Sequence, residues 1–510
     1  MRERLMLDLL GAGRPDNPAI GAPDRPALTY RDLSALVDKT VAALNGFGIG
    51  RGDRVAIVLP NGPEMAAAFV SIAAGAVAAP LNPAYRAEEM EFYLTDLRAK
   101  AIVLDEAGHE AAEGIAAKLG IPVLRLSVDA VAPAGAFSLS GEARGTAARP
   151  GLSAENEEAL VLHTSGTTSR PKIVPLTLGN LKASARHIRT SLELTPEDRC
   201  LNIMPLFHIH GLIAAVLSSL SAGASVICTP GFNGLKVYHW MDDAAPSWYT
   251  AVPTMHQAIL ARAPRNKDSV ARAKLRFIRS SSSSLPPQVM TQLEETFDCP
   301  VIEAYGMTEA AHQMTCNLLP PGARKAGSVG PSAGPEVAIL SDDGEILPTG
   351  AIGEVCIRGP NVTAGYENNE AATAEAFAHG WFHTGDQGRL DEDGFLFLTG
   401  RLKEIINRGG EKISPREVDE VLMDHPAVQQ VVCFAMPHDK LGEDVAAAVV
   451  LRDGMQANER ELRDFAAEHL ADFKVPRRLV FLDEIPKGAT GKLQRIGLAE
   501  KLGLGKEGGA

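Results

Sequence analysis

The chain has 510 residues, 45% of them hydrophobic and 22% charged, which is the balance of a folded globular protein with at least two domains and excludes a disordered chain. Fifty lysines and arginines face 63 aspartates and glutamates, for a formal net charge of −13. That surplus excludes a general affinity for nucleic acid or anionic lipid, because the phosphate term would be repulsive, but leaves room for a local basic pocket.

In chain order, the N-terminal Met1-Arg2-Glu3-Arg4-Leu5 has no apolar stretch of signal-peptide length. From about residue 27 to 310, short β-like runs such as Arg54–Pro60, Lys100–Asp105 and Ala224–Cys228 alternate with helical spacing. This alternation predicts parallel sheets with helical crossovers. Met65 to Leu81 is largely alanine, interrupted by Ser71 and Gly75; it is too weakly apolar for a membrane span and predicts a buried helix. Residues 129–156, poor in large apolar groups, predict a surface connection. Strands and tight turns are expected from about 335 to 402, with Asp342-Asp343-Gly344 and Asp391–Gly394 as hairpin signals. A second unit begins near Arg401. Ser414-Pro415-Arg416-Glu417 reads as a capping box with proline at the first helical position, and Val418, Val421 and Leu422 give the apolar face. Val428–Phe434 and Val445–Leu451 read as strands and Glu459–His469 as a helix. The expected fold is α/β: a large N-terminal unit over residues 1–402, with parallel-type sheets, helices and a β-rich part, and a small mobile α+β unit over 403–510. Cys200, Cys228, Cys299, Cys316, Cys356 and Cys433 are scattered, which predicts reduced buried thiols of a cytoplasmic protein and neither a metal knuckle nor a redox pair.

Several segments carry chemistry. Thr164-Ser165-Gly166-Thr167-Thr168-Ser169-Arg170-Pro171-Lys172 follows the apolar run Ala159–Leu162. Hydroxyls beside glycine let backbone N–H groups approach phosphate oxygens, and the lysine adds a fixed charge. It is not the usual P-loop, and alone it reads equally well as a surface loop. Glu303-Ala304-Tyr305-Gly306-Met307-Thr308-Glu309 offers a tyrosine face for a base and a carboxylate for magnesium. In Thr384-Gly385-Asp386, the carboxylate suits both hydroxyls of a ribose. Gly400–Ser414 spans the unit boundary, and Pro486–Lys492 places a lysine on a glycine-containing loop. Gly330–Gly334 matches a serine-hydrolase elbow, but Pro331 precedes the serine and a strand-like run follows, so a glycine-rich turn is predicted. His208 and His210 lack a third ligand at metal spacing, which argues against zinc. Ser280–Ser284 follows a strand and is expected to line a crevice at its end.

Thr164–Lys172, Glu303–Glu309, Thr384–Asp386, Gly400–Ser414 and Pro486–Lys492, in this order within a likeness over about residues 25–497, resemble the adenylate-forming enzymes: acyl-CoA synthetases, firefly luciferases and nonribosomal-peptide adenylation domains. The resemblance implies a ligase that joins a carboxylic acid to AMP and then to a thiol, using ATP, Mg²⁺ and coenzyme A. By that resemblance Thr164, Ser165, Gly166, Thr167, Thr168, Ser169 and Lys172 wrap the β- and γ-phosphates, Glu303, Ala304 and Tyr305 line the adenine slot, and Thr308 lies near the α-phosphate. Glu309 holds Mg²⁺, Asp386 and Arg401 grip the ribose, and Lys403 is the hinge. Lys492 reaches the carboxylate and α-phosphate during adenylation, after which the small unit swings and Gly409-Gly410 forms a pantetheine tunnel. Ser169 and Ile173 stand where the family usually has glycine.

The acyl walls offer His208, His210, Ser282 and His312. A fatty-acid tunnel would be apolar, so polar walls suggest a short dicarboxylate; the alternative is that His210 and His312 merely bond backbone carbonyls. Pro205–Gly211, Met307–His312, Arg358–Thr363 and Ile406–Pro415 look like the oxalate–CoA ligases of plants and fungi. That likeness implies that Ser282, His208 and His312 hold the distal oxalate carboxylate, with His208 among the catalytic groups. Gly306, alanine in some relatives, would leave a roomier pocket and keeps malonate or another short acid open. A non-catalytic AMP- or CoA-binding protein would have no need of Lys492, Glu309 and Asp386 together. The expected partners are small molecules, with no nucleic acid and no membrane; the oligomeric state stays open.

Overall fold

The computed structural model describes residues 5–143, 145–164, 171–487 and 493–504. Two large sheets share one plan. In the first, seven strands run in the order Ser138–Ser140, Val123–Ser127, Ala101–Asp105, Arg54–Ile57, Val77–Pro80, Glu158–His163 and Ile173–Thr177. In the second, eight run from His312–Cys316 through Val301–Met307, Phe277–Ser281, Trp248–Ala251, Arg199–Asn202, Ser225–Cys228 and Pro18–Ala22 to Arg25–Thr29. Both are parallel inside and antiparallel at each edge. Val55, Ala56 and Ile57 are all fully buried, as a parallel strand covered on both faces requires. One apolar cluster, with Phe69, Val103, Leu162, Leu212, Trp248 and Phe277, draws side chains from both sheets.

The alanine-rich stretch is not one helix. It forms the helix Pro63–Ala73 and then the strand Val77–Pro80, both buried. The chain turns at Gly75, where a Cβ would lie 2.7 Å from Val41 Cγ1. Uniform apolarity carries no period, so composition alone cannot separate a buried helix from a buried strand. Residues 129–156 are likewise more than a surface connection: Ala134, Phe137, Ala147 and Ser153 are buried and Ser138–Ser140 forms an edge strand.

The third sheet is antiparallel, from Glu336–Leu340, Gly353–Arg358, Phe382–Leu390 and Leu396–Arg401. Asp391 closes its last hairpin by accepting from the N–H groups of Asp393 and Phe395. Gly330–Gly334 is a turn packed on the strand His312–Cys316, with Gly330 in the left-handed region. The fourth sheet is drawn entirely from the segment after Ile406: Ile406–Arg408, Glu411–Ile413, Val428–His438, Gly442–Leu451 and Arg478–Phe481. The helices Pro415–Met423 and Glu459–His469 cover it through Val418, Leu422, Leu462 and Ala466.

Ser414 does begin the helix, but the capping box does not form. Its hydroxyl donates to the carbonyl of Thr399, and Glu417 pairs with Lys474 at 2.6 Å. Tertiary partners outcompete the local ones, and Ser414 becomes a tie between the fourth sheet and the rest. Arg416 donates to the Leu398 carbonyl at 2.7 Å and Gln430 to Gln257 at 3.3 Å. Among the described residues no buried apolar cluster spans this junction.

Candidate active site

The strand Val301–Met307 delivers Glu303 and Tyr305 to one face, and Ala304, by alternation, to the other. The Tyr305 hydroxyl donates to one Asp386 oxygen, and Arg401 Nε donates to the other at 2.8 Å. Asp386 and Arg401 are register partners on adjacent antiparallel strands. Burial and the Asp386 carboxylate raise the Tyr305 pKa, and Asp386 raises that of Arg401. Each Asp386 oxygen keeps a lone pair for a further donor. The turn beneath is braced from behind: Thr384 donates to the Val355 carbonyl at 2.7 Å, while Glu354 accepts from Gly385 N–H at 2.8 Å and bonds His383 Nδ1 at 2.8 Å. Glu303 is buried, with Oε1 accepting from Leu285 N–H at 3.3 Å and no hydrogen-bond partner for Oε2 among the described residues. Burial pushes its carboxyl up to about 7, against the opposing pull of Arg416.

Glu309, in the short turn Thr308–Ala310, is buried and accepts from the Tyr366 hydroxyl at 3.0 Å. The Lys172 ammonium lies 4.3 Å from the Tyr366 ring centroid, so Lys172, Tyr366 and Glu309 form one group. Burial raises the Glu309 pKa, opposed in part by Arg401 and Lys172. The base of the hydroxyl-rich loop is closed by Thr164 N–H to Lys172 O at 2.9 Å. This loop joins two antiparallel strands, not a strand to a helix. Ser165, Gly166, Thr167, Thr168 and Ser169, and also Lys492, lie outside the described residues. Thr308 is half-buried, and Lys403 is exposed between the third and fourth sheets. Gly409 and Gly410, at φ +60° and +101°, are the two-residue turn between Ile406–Arg408 and Glu411–Ile413, where only residues tolerant of positive φ fit easily.

The third group gathers where the π-helical turn His210–Leu217 meets the ends of the strands of the second sheet. His210 is fully buried; its Nδ1 lies 3.0 Å from Ser282 Oγ and its Nε2 2.6 Å from Thr250 Oγ1. Its ring centroid is 5.0 Å from that of His312. Both ring nitrogens of His210 thus lie at hydrogen-bond distance from a hydroxyl, which the alternative of backbone carbonyls does not foresee. Ser282, Ala311 and His312 all have positive φ, at +74°, +46° and +99°. Three non-glycine residues in this conformation around one cluster mark backbone strain held in place by the surroundings. Gly306 does not enlarge this pocket: a Cβ there would run into the carbonyl oxygen of His312 on the neighbouring strand, so glycine is needed for close approach. His208 is half-buried and its Nδ1 accepts from His210 N–H at 3.4 Å, while His210 is the residue hydrogen-bonded to Ser282.

Beneath this group lies Arg279, fully buried, donating to Thr250 Oγ1 at 3.4 Å and Gln313 Oε1 at 3.2 Å. Burial lowers its pKa. Sequence reasoning missed Arg279, Thr250 and Tyr366. The available signal was an arginine interrupting the apolar run Phe277-Ile278; nothing local pointed to Thr250, its register partner on the next strand.

Residues 10–367 match the family described as AMP-binding enzyme, and residues 417–492 match the AMP-binding enzyme C-terminal domain. The chain belongs to the AMP-binding enzymes. This AMP-binding enzyme is 48% identical over 475 residues to the probable CoA ligase CCL9 of Humulus lupulus, covering 91% of this chain and 90% of the relative. It is 46% identical over 487 residues to the oxalate–CoA ligase of Arabidopsis thaliana, covering 94% and 95%. Its fold matches that of ATP-bound MatB from Rhodopseudomonas palustris with a TM-score of 0.88 at 29% identity, over 98% of this chain and 99% of the other. Among the described residues no helix of this AMP-binding enzyme is long and apolar enough to cross a membrane.

Proposed function

We infer that this AMP-binding enzyme, an ATP-dependent acid–CoA ligase working through an acyl-adenylate, takes oxalate as its acid. The observation that carries the reading is the cluster of Ser282, His210 and His312 over the buried guanidinium of Arg279, which suits a small second carboxylate and not an alkyl chain. The similarity to an oxalate–CoA ligase over nearly the whole chain supports it.

A carboxylate resists nucleophiles because of its charge, and joining it to AMP removes that charge. Two anions must first be brought together. In this reading Thr164–Ser169 and Lys172 hold the β- and γ-phosphates, Tyr305 and its neighbours Glu303 and Ala304 form the adenine slot, and Asp386 with Arg401 receives the ribose. Thr308 lies at the α-phosphate, His208 and His312 at the acid, and Lys492 bridges acid and phosphate. Glu309 is a buried hard-oxygen donor held by Tyr366, which fits Mg²⁺; bound there, the ion would offset phosphate charge. We assign residues 1–402 to ATP and acid and residues 403–510 to a mobile lid turning at Lys403, with Gly409-Gly410 presented to the pantetheine arm of CoA. Junction contacts made of hydrogen bonds, without a shared buried apolar cluster among the described residues, favour such movement. A cytoplasmic setting agrees with the six buried, unpaired cysteines.

Pyrophosphate release with oxalate, malonate, acetate and hexanoate, each with and without CoA, tests the reading. Oxalate should give the highest kcat/KM; a higher value for hexanoate or acetate would overturn the dicarboxylate, and one for malonate would replace oxalate.

A further inference from the structure

A fully buried guanidinium is expensive to hold in a protein interior unless anionic groups surround it. Among the described residues Arg279 forms no ion pair with a carboxylate; it donates to the neutral oxygens of Thr250 and Gln313 and lies beside the Cys316 thiol. Its Nε has no hydrogen-bond partner among the described residues. The Gln313 branch ends within the protein, since its amide nitrogen donates to Ser191 Oγ at 3.0 Å and the Ala333 carbonyl at 3.2 Å. The Thr250 branch does not end there. It continues through His210 to Ser282, which is only half-buried and stands at the end of its strand.

We propose that Arg279 is a positioning residue that fixes the direction of the hydrogen-bond chain Arg279–Thr250–His210–Ser282, turning the Ser282 hydroxyl into a donor for the second carboxylate of the substrate. Arginine has donors and no acceptor, so the first link runs from Arg279 to Thr250. Among the described residues the hydrogen-bond partners of Thr250 Oγ1 are Arg279, which cannot accept, and His210, so the hydroxyl proton goes to His210 Nε2 across 2.6 Å. His210 is thereby set as the Nδ1–H tautomer and donates to Ser282 Oγ across 3.0 Å. With that lone pair occupied, the Ser282 proton points away from His210 and is available to an anion. Successive links polarise one another in a low-dielectric interior, so the charge of Arg279 is felt at Ser282 without contact.

This inference rests on the dicarboxylate reading for its purpose, but its test does not. In enzyme labelled with ¹⁵N-histidine, the His210 signals are those lost in His210→Gln. The expected ring has a protonated Nδ1 and a bare, hydrogen-bonded Nε2; a protonated Nε2 overturns the chain whatever the substrate. Thr250→Val keeps the shape and removes the relay, avoiding the loss of fold that removing Arg279 risks. It should raise the oxalate KM by roughly tenfold with the ATP KM unchanged, and Thr250→Ser should restore it. An unchanged oxalate KM, or an equal rise for acetate, overturns the role of the chain in recognition. If oxalate is refused by every form, the acid reading falls, and the tautomer of His210 still decides the relay.

Discussion

The two ends of the proposed cleft are built with opposite electrostatics. At the nucleotide end, the carboxylates of Asp386, Glu309 and Glu303 are buried, and the groups around them are a tyrosine hydroxyl, Arg401, another tyrosine hydroxyl and a backbone N–H. At the acyl end, imidazoles and hydroxyls surround a guanidinium that no carboxylate balances among the described residues. The first arrangement suits hydroxyls, amines and cations; the second suits an anion. A ligase for a dianionic acid needs both, because the acid must be held by donors while the ribose is held by acceptors. The difference also sets the order of the expected effects.

The largest should come from the lysine proposed to bridge acid and phosphate. Lys492→Ala should reduce adenylation by about 10²- to 10³-fold while largely sparing thioester formation from premade acyl-AMP, as read by single-turnover assays. Equal loss of both steps would overturn the adenylation role proposed for this lysine. Next, His312→Ala is expected to raise the oxalate KM by roughly 10- to 100-fold and leave the ATP KM nearly unchanged. Parallel increases in both would erase the division between the ends.

Glu303 sharpens the comparison through pH. Its carboxyl stands at about 7 in the folded protein against 4.5 in the unfolded chain, so its favourable contribution is complete below pH 4.5 and is lost as pH rises through 7. Glu303→Gln should therefore match the parent near pH 4 and be more stable at pH 8, by about 3 kcal/mol at most. Thermal midpoints across that range check it, and a difference independent of pH would show that burial does not perturb the group. The smallest effect belongs to the junction. Ser414→Ala should cost about 0.5–1.5 kcal/mol, measured by denaturant unfolding, because one hydrogen bond to the Thr399 carbonyl is lost.

The end proposed for the nucleotide is more legible in the sequence than the end proposed for the acid. Thr164–Lys172, Glu303–Glu309 and Thr384–Asp386 are each contiguous, and their proposed work depends on backbone and side-chain groups a few residues apart. Even so, Tyr366 joins Glu309 to Lys172 from a distant segment that local pattern did not mark. At the acyl end the serine run and the histidines were visible, but whether His208 or His210 meets Ser282 depends on the π-helical turn. In the sequence Gly306 suggests extra room, but it is a point of close backbone approach. Ser414 marked a helix start correctly and its bonding wrongly, because the Thr399 carbonyl is remote in the chain.

By itself the amino-acid order determined the alternation of strands and helices, the β-rich third sheet, the second unit and the ordered motifs of an adenylate-forming enzyme. The elements follow from spacing, turn chemistry and composition, which act over a few residues; the motifs are recognised by their resemblance to a known family. The tertiary structure alone decided that the alanine run divides into a helix and a strand, and that Thr250 and Arg279 stand side by side under His210. Register between parallel strands is fixed by packing across long crossovers, and no local pattern records which buried polar side chain will meet which.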